Sequence, residues 1–314
     1  MQAYVFDNYG GPETMHLGSL PDPVPGKGEV VVRVRASSVN PVDWKIRSGM
    51  MRLISGRKFP RALGTEFAGD VAALGPGVVG WSVGDPVYGM SVTALGRNGS
   101  HAELVAVSAK ALRRKPDFLS YEQAATVPVA ALTALHGLRL AGDVNGKAVL
   151  VNGATGGVGH FALQIAKFRG ATVTAVCSAK NAHHAQALGA DRVLDYRAVD
   201  FADAPERYDV VYDAFGAKGF ASARRALTPD GVYVTPLGMP AVILRSLWQN
   251  LVGRQKLLIG NVRTEQQDYA EIEAMLASGA VRPLIDRVVP LAQAGEAFAA
   301  SEGGGLAGKV VITV

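Results

Sequence analysis

Short apolar runs fill the chain up to about residue 118 and read as strands. Residues 29–36, EVVVRVRA, alternate apolar and polar positions over much of their length, as a half-buried strand does. Residues 66–74, 85–90 and 101–107 read as further short strands. Turn chemistry separates them at 21–26, 75–77 and 96–99. This pattern predicts a compact β-barrel-like domain. Near Pro116 the period changes. Residues 121–140 are predicted helical, with Ser120 as N-cap. Strands then alternate with helical patterns at 148–152, 172–177, 192–195, 208–213, 231–236 and 256–261, the rhythm of a doubly wound parallel sheet. The tail adds a helix near 267–278, a strand 284–289, a helix 291–301 and a last strand 309–314.

The fold class is therefore α/β. Residues 1–118 are expected to form the first domain, with 262–314 returning to it, and 119–261 the inserted second domain.

Residues 147–180 organise the second domain. An apolar run, Ala148 to Val151, leads into a glycine-rich turn, Gly153-Ala154-Thr155-Gly156-Gly157-Val158-Gly159. Phe161, Ala162, Ile165, Ala166 and Phe168 follow at helical spacing, and a second apolar strand closes the unit. A βαβ unit opening on such a turn binds the pyrophosphate of a dinucleotide, because glycines let the backbone approach and the helix start presents free N–H groups. Thr155, Gly156, Gly157 and Val158 are the candidate pyrophosphate contacts.

An NAD-specific site carries a carboxylate at the end of the second strand. Here that place holds Cys177-Ser178-Ala179-Lys180, a hydroxyl and a cation suited to a 2′-phosphate. The expected cofactor is NADPH, with Ser178, Lys180 and Tyr196 at its adenosine end. His183 and His184 are neighbours in a helical pattern, do not share a face, and read as surface residues.

Bulk properties narrow the classes. The chain has 314 residues, 48% hydrophobic, with a formal charge of +5 in scattered residues, which argues against nucleic-acid binding. Its single cysteine, Cys177, excludes an internal disulfide and a multi-cysteine zinc site, and ends a core strand as an inert thiol. Met1 leads straight into QAYVF without a targeting pattern, and no apolar run is long enough for stable membrane insertion. The expected setting is cytoplasmic.

The glycine turn also fits the short-chain reductases, which need a tyrosine followed four residues later by a lysine. None of the nine tyrosines has one, and the turn lies deep in the chain.

Another family fits nearly the whole chain. Tyr9-Gly-Gly-Pro-Glu, Ser37-Ser-Val-Asn-Pro-Val-Asp-Trp-Lys-Ile-Arg-Ser-Gly, Gly64-Thr-Glu-Phe-Ala-Gly, Val127-Pro-Val-Ala-Ala-Leu-Thr-Ala, Ala154-Thr-Gly-Gly-Val-Gly, Leu188-Gly-Ala-Asp and Gly308-Lys-Val-Val run in its order. The sequence resembles the medium-chain dehydrogenase/reductase superfamily and, within it, the zinc-independent quinone oxidoreductases. The resemblance implies a GroES-like substrate domain around a Rossmann domain. Zinc alcohol dehydrogenases carry a ligand cysteine and a ligand histidine where this chain has Asn40 and Thr65. Glu66 alone remains, and the four-cysteine structural zinc lobe is absent.

Without metal or flavin motif, NADPH must supply hydride directly, and the easiest acceptors are quinones and enones. The expected nicotinamide position is the cleft between domains. The resemblance implies that Asn40 donates to the substrate oxygen; a turn residue bracing Pro41 is the plainer reading. Asp43 and Lys45 are candidates for orienting or proton handling, with a structural ion pair the alternative for Asp43. Thr133 and the loops Phe215-Gly216 and Pro236-Leu237-Gly238 are expected to line the nicotinamide. Residues 240–254 place Ile243, Leu244, Leu247, Trp248 and Leu251 on one face, for a substrate lid or for packing on the core. The strand at 256–261 ends the sheet, and a homodimer paired across that edge is expected. Two alternatives stand beside the quinone or enone reductase: an enoyl-thioester or alkenal double-bond reductase, and a weakly active NADPH-binding regulatory protein.

Overall fold

In the computed structural model, residues 1–216, 219–236, 240–260 and 265–314 are described. The chain divides into two compact units, Met1–Val129 with Ile285–Val314, and Ala130–Leu284.

The first unit is β-rich, as its short alternating runs predict. Among the described residues, seven strands form one sheet, including Glu29–Ser38, Glu66–Leu74, Pro86–Met90, Leu104–Ser108, Ile285–Pro290 and Lys309–Thr313. Glu29–Ser38 is its hub. It pairs antiparallel with Glu66–Leu74, with Leu104–Ser108 and with Lys309–Thr313. Its alternate side chains Val30, Val32 and Val34 meet Phe67, Val71, Val87, Val105, Val107 and Leu112 in a closed apolar core. A smaller sheet joins Gln2–Phe6 to Met15–Ser19 and Arg61–Ala62. Helix Ala294–Gly303 returns with the tail, held by a two-pronged pair from Arg47 to Glu302 at 2.6 and 3.0 Å.

Helix Pro41–Arg47 is not among the elements expected from the sequence, in which a turn at Asn40 is the plainer alternative to a substrate donor. The start signals are nonetheless present: Pro41 sits at the first helical position, and the Asp43 carboxylate accepts from the Asn40 backbone N–H at 2.8 Å.

The second unit is a parallel sheet. Among the described residues six strands lie in the order Arg192–Asp195, Thr172–Cys177, Ala148–Asn152, Tyr208–Asp213, Leu227–Thr235 and Lys256–Ile259. Strand order reverses between Ala148–Asn152 and Tyr208–Asp213, so ligand-binding loops gather there at the C-terminal edge. Ala148–Asn152 pairs on both sides, and its residues 149–152 are buried, which explains an apolar run without alternation.

Three differences from the sequence reading have physical reasons. The helical stretch at 121–140 is two helices, Tyr121–Ala124 and Val127–Leu140, because Pro128 has no N–H and begins a new first turn. Helix Gln266–Ala277, expected to return with the tail, belongs to the second unit. There Asp268 takes His136 Nε2 at 2.7 Å, and Glu271 takes Arg139 and Arg169. The apolar face of helix Pro240–Val252 is not buried in the core of the second unit: Leu244, Trp248 and Leu251 are 70%, 67% and 82% exposed. The helix seats itself through Val242 and through Asn250, whose amide bonds both backbone groups of Leu257 at 2.8 Å. That amide already covers part of the sheet edge expected to pair with a second copy.

Candidate active site

In the first unit the end of strand Glu29–Ser38, the start of helix Pro41–Arg47, the start of strand Glu66–Leu74 and the start of strand Lys309–Thr313 converge on one buried polar cluster. Glu66 is fully buried and fully engaged. Its Oε1 accepts from Ser38 Oγ at 2.5 Å, from Lys309 Nζ at 2.8 Å and from Asn40 Nδ2 at 3.0 Å. Its Oε2 accepts from the Val129 backbone N–H at 2.6 Å. Lys309 Nζ also donates to Asn40 Oδ1 at 2.6 Å and to the Val39 carbonyl at 3.2 Å, so its three protons have three acceptors. A buried ion pair costs desolvation unless further hydrogen bonds satisfy it, and here they do.

Asp43 stands behind Asn40. Its carboxylate accepts from the Asn40 and Gly64 backbone N–H groups at 2.8 and 3.2 Å and from Thr65 Oγ1 at 2.8 Å. Complete burial pushes its pKa up to about 6, against the opposing pull of those donors and of the Lys309 charge. His101 is buried too, edge-on to Phe298 at 5.3 Å, with no hydrogen-bond partner on either ring nitrogen among the described residues. Burial holds its pKa down to about 4, with the Lys309 charge reinforcing the shift. Lys45, expected to assist, takes no part in this cluster: its ammonium lies 5.6 Å over the Trp44 ring.

The cluster explains what Asn40 and Thr65 do at the positions where zinc alcohol dehydrogenases carry ligands. Asn40 spends its carbonyl on Lys309, and Thr65 gives its hydroxyl to Asp43. Among the described residues no three His, Cys, Asp or Glu side chains gather as a metal donor set.

In the second unit the cofactor-binding candidates lie at the C-terminal ends of adjacent parallel strands. The turn after Ala148–Asn152 is pinned by Gly153 and Ala154 N–H groups to the Val176 carbonyl, both at 3.0 Å. Gly153 takes φ +73°, and a Cβ at Gly159 would stand 2.0 Å from the Gly153 carbonyl oxygen. Gly156, Gly157 and Val158 are partly open just before helix Gly159–Phe168, while Thr155 is buried and accepts from Asn181 Nδ2 at 3.3 Å.

Cys177 and Asp195 are register partners, so Ser178 and Tyr196 follow neighbouring strand ends. Ser178 Oγ is buried without a hydrogen-bond partner among the described residues. A buried hydroxyl pays for lost water unless something bonds it, so this atom fits a ligand oxygen. Lys180 and Tyr196 are exposed, and the Arg197 guanidinium sits 5.7 Å over the Tyr196 ring. Arg197 was not anticipated; its signal was a second cation beside a candidate stacking ring. Cys177 is buried and unpaired, its thiol pushed up to about 11 by burial.

Phe215 follows Tyr208–Asp213 and is exposed. The buried Asp213 carboxylate shapes its turn, accepting from the Phe215 and Gly216 N–H groups at 3.1 and 2.7 Å, from Asn152 Nδ2 at 2.8 Å and from the Tyr233 hydroxyl at 2.6 Å. Thr133 is buried on helix Val127–Leu140, where its carbonyl accepts from the Tyr212 hydroxyl at 3.0 Å. Leu237 and Gly238 lie outside the described residues. Among the described residues no helix is long and apolar enough to cross a membrane.

Known proteins share both units. Residues 26–117 match the alcohol dehydrogenase GroES-like domain, and residues 188–312 the zinc-binding dehydrogenase family. A chloroplast envelope quinone oxidoreductase homolog of Arabidopsis thaliana is 33% identical over 99% of this chain and 98% of its own length. The 2-methylene-furan-3-one reductase of Solanum lycopersicum is 33% identical over 99% of this chain and 79% of its own. The solved quinone oxidoreductase of Coxiella burnetii superposes with a TM-score of 0.92 at 30% identity, covering 100% of this chain and 99% of that one. Together with the GroES-like barrel and the Rossmann sheet, these likenesses show that the chain belongs to the medium-chain dehydrogenase/reductase superfamily, among its quinone oxidoreductases.

Proposed function

We propose that the protein is an NADPH-dependent reductase of quinones and α,β-unsaturated carbonyl compounds that works without a metal. The observation that carries this reading is the exhausted Glu66 carboxylate. Its acceptor sites go to Ser38, Asn40, Lys309 and Val129, and neither Asn40 nor Thr65 supplies a zinc ligand. A site without a Lewis acid suits acceptors that are already electrophilic. The names of the Arabidopsis thaliana and Solanum lycopersicum relatives, a quinone oxidoreductase homolog and a 2-methylene-furan-3-one reductase, support the same substrate class.

The bound cofactor supplies the hydride. This chain's own residues do the rest. The 153–158 turn and the start of helix Gly159–Phe168 receive the pyrophosphate. Ser178 donates its unpartnered hydroxyl to the 2′-phosphate, Lys180 and Arg197 bring positive charge to it, and Tyr196 offers a ring to the adenine. Phe215 and Thr133 border the nicotinamide. Asn40 donates one N–H to the oxygen on which charge develops as the acceptor is reduced. Asp43 holds Asn40 and Thr65 in place.

We also propose a homodimer, supported by the exposed apolar face of helix Pro240–Val252, and a cytoplasmic setting, supported by a single cysteine that is buried. The direct test follows NADPH consumption against quinones, alkenals, enones and enoyl thioesters. Turnover of a quinone or enone supports the reading, and turnover of enoyl thioesters alone moves the enzyme to double-bond reduction of thioesters.

A further inference from the structure

Asn40 has the one side-chain amide in the buried cluster of the first unit, and an amide has two orientations that differ only by exchanging oxygen and nitrogen. The surroundings choose between them. Oδ1 stands 2.6 Å from the Lys309 ammonium and Nδ2 stands 3.0 Å from the Glu66 carboxylate. Flipping the amide would press an N–H against an ammonium and a carbonyl against a carboxylate. Both bonds that hold it are charge-assisted, roughly twice as strong as neutral ones. Lys309 and Glu66 are themselves paired at 2.8 Å and are 4% and 0% exposed. Of the two Nδ2 protons, one is committed to Glu66. The other meets only the Ser38 carbonyl, at 3.4 Å, the longest hydrogen bond the side chain makes.

We propose that Lys309 and Glu66 form a positioning pair that locks the Asn40 amide with its oxygen inward, leaving one weakly held N–H as the donor to the substrate oxygen. The proposal rests on the reductase reading of Asn40 and deepens it. Lys309 and Glu66 touch no substrate; they act through Asn40. The pair joins strands far apart in sequence, and its net charge is zero, so it fixes a donor without adding charge where an oxyanion forms.

The test uses the full chain. Lys309→Met alone would strand a buried carboxylate and can fail to fold, so the informative variant is Lys309→Met with Glu66→Gln, which removes both charges together. Nitrogen-15 NMR follows the Asn40 side-chain protons, assigned by their loss in Asn40→Ala. The expected result is exchange of those protons on the order of 10-fold faster or more in the double variant, as the bond from Lys309 is lost and the bond to Glu66 becomes a neutral one. The backbone amides of strand Lys309–Thr313 should keep their protection. In turnover, the double variant should lower kcat by roughly 10-fold or more with KM for NADPH unchanged, and should lower it by less than about twofold in an Asn40→Ala background. Unchanged Asn40 exchange, or an equal loss of kcat in both backgrounds, overturns the proposal. If the wild-type protein reduces no quinone or enone, the functional reading fails, and the exchange measurement alone decides the positioning pair.

Discussion

Lys309 and Asn40, 269 positions apart, meet in a 2.6 Å hydrogen bond inside the first unit. That bond joins the start of the last strand to the start of the first α-helix and turns the Asn40 amide one way. Where zinc alcohol dehydrogenases carry a ligand cysteine, this chain has an asparagine held by an internal cation. Removing the donor should therefore damage chemistry more than binding. Asn40→Ala is expected to lower kcat by roughly 10²-fold, the cost of one lost oxyanion donor, with KM for NADPH changed by less than about threefold. Steady-state kinetics on a quinone check it; an unchanged kcat assigns Asn40 to bracing alone.

Cofactor choice follows from the second unit. With the 2′-phosphate placed as proposed, Lys180→Ala and Arg197→Ala should each raise KM for NADPH on the order of 10-fold while leaving that for NADH alone, since each would remove a charge-assisted contact available only to that group. Ser178→Ala should weaken NADPH binding less, and slightly raise thermal stability of the cofactor-free protein, because its buried hydroxyl has no hydrogen-bond partner among the described residues. Titration of both cofactors against the three variants separates these effects.

Two buried groups make opposite pH predictions. The pKa of Asp43 is raised from 3.8 to about 6 in the folded chain. Its protonated form is favoured in the fold, so this contribution is present at pH below 4 and is lost as pH rises toward 6. The pKa of His101 is lowered from 6.5 to about 4. Its neutral form is favoured, so this contribution is present above 6.5 and is lost as pH falls toward 4. Each amounts to about 3 kcal/mol at full extent. In wild type the two offset each other between pH 4 and 6.5. His101→Phe should leave a protein more stable at pH 4.5 than at 6.5, and Asp43→Asn one less stable at pH 4.5. Denaturant unfolding at both pH values checks the sign, and a variant with no slope removes its residue from the account.

The strand plan was legible because its cause is local. Val149, Leu150 and Val151 form an unbroken apolar run because that strand is covered on both faces, and the glycines after it announce the turn. Helix Pro41–Arg47 was legible in principle, since Pro41 and Asp43 are start signals, but seven residues are too few for a period to show. The amphipathic face of helix Pro240–Val252 was readable, yet the pattern does not say whether core, solvent or a partner takes that face. Least legible were the long-range polar contacts. Nothing near Lys309 in sequence points to Glu66, and nothing near Asp268 points to His136, because ion pairs carry no period. The same holds for Arg197, whose relation to Tyr196 is one of ring geometry.

The exposed helix face makes an assembly prediction. Leu247→Glu with Trp248→Glu should convert a dimer to a monomer in light scattering, without loss of the folded circular-dichroism signal, since both side chains are exposed in the isolated chain. A wild-type protein already monomeric at micromolar concentration contradicts the dimer.

Metal-free hydride transfer from NADPH to a conjugated acceptor is the proposed reaction. The most direct measurement is turnover of a quinone and an enone by metal-stripped enzyme, with NADPH and NADH compared, in the presence of chelator and again after adding zinc. Reduction of at least one acceptor is expected, with preference for NADPH by about 10-fold or more in kcat/KM and no response to chelator or zinc. Tight NADPH binding with no turnover, or an alcohol-oxidising activity that chelator abolishes and zinc restores, would contradict it.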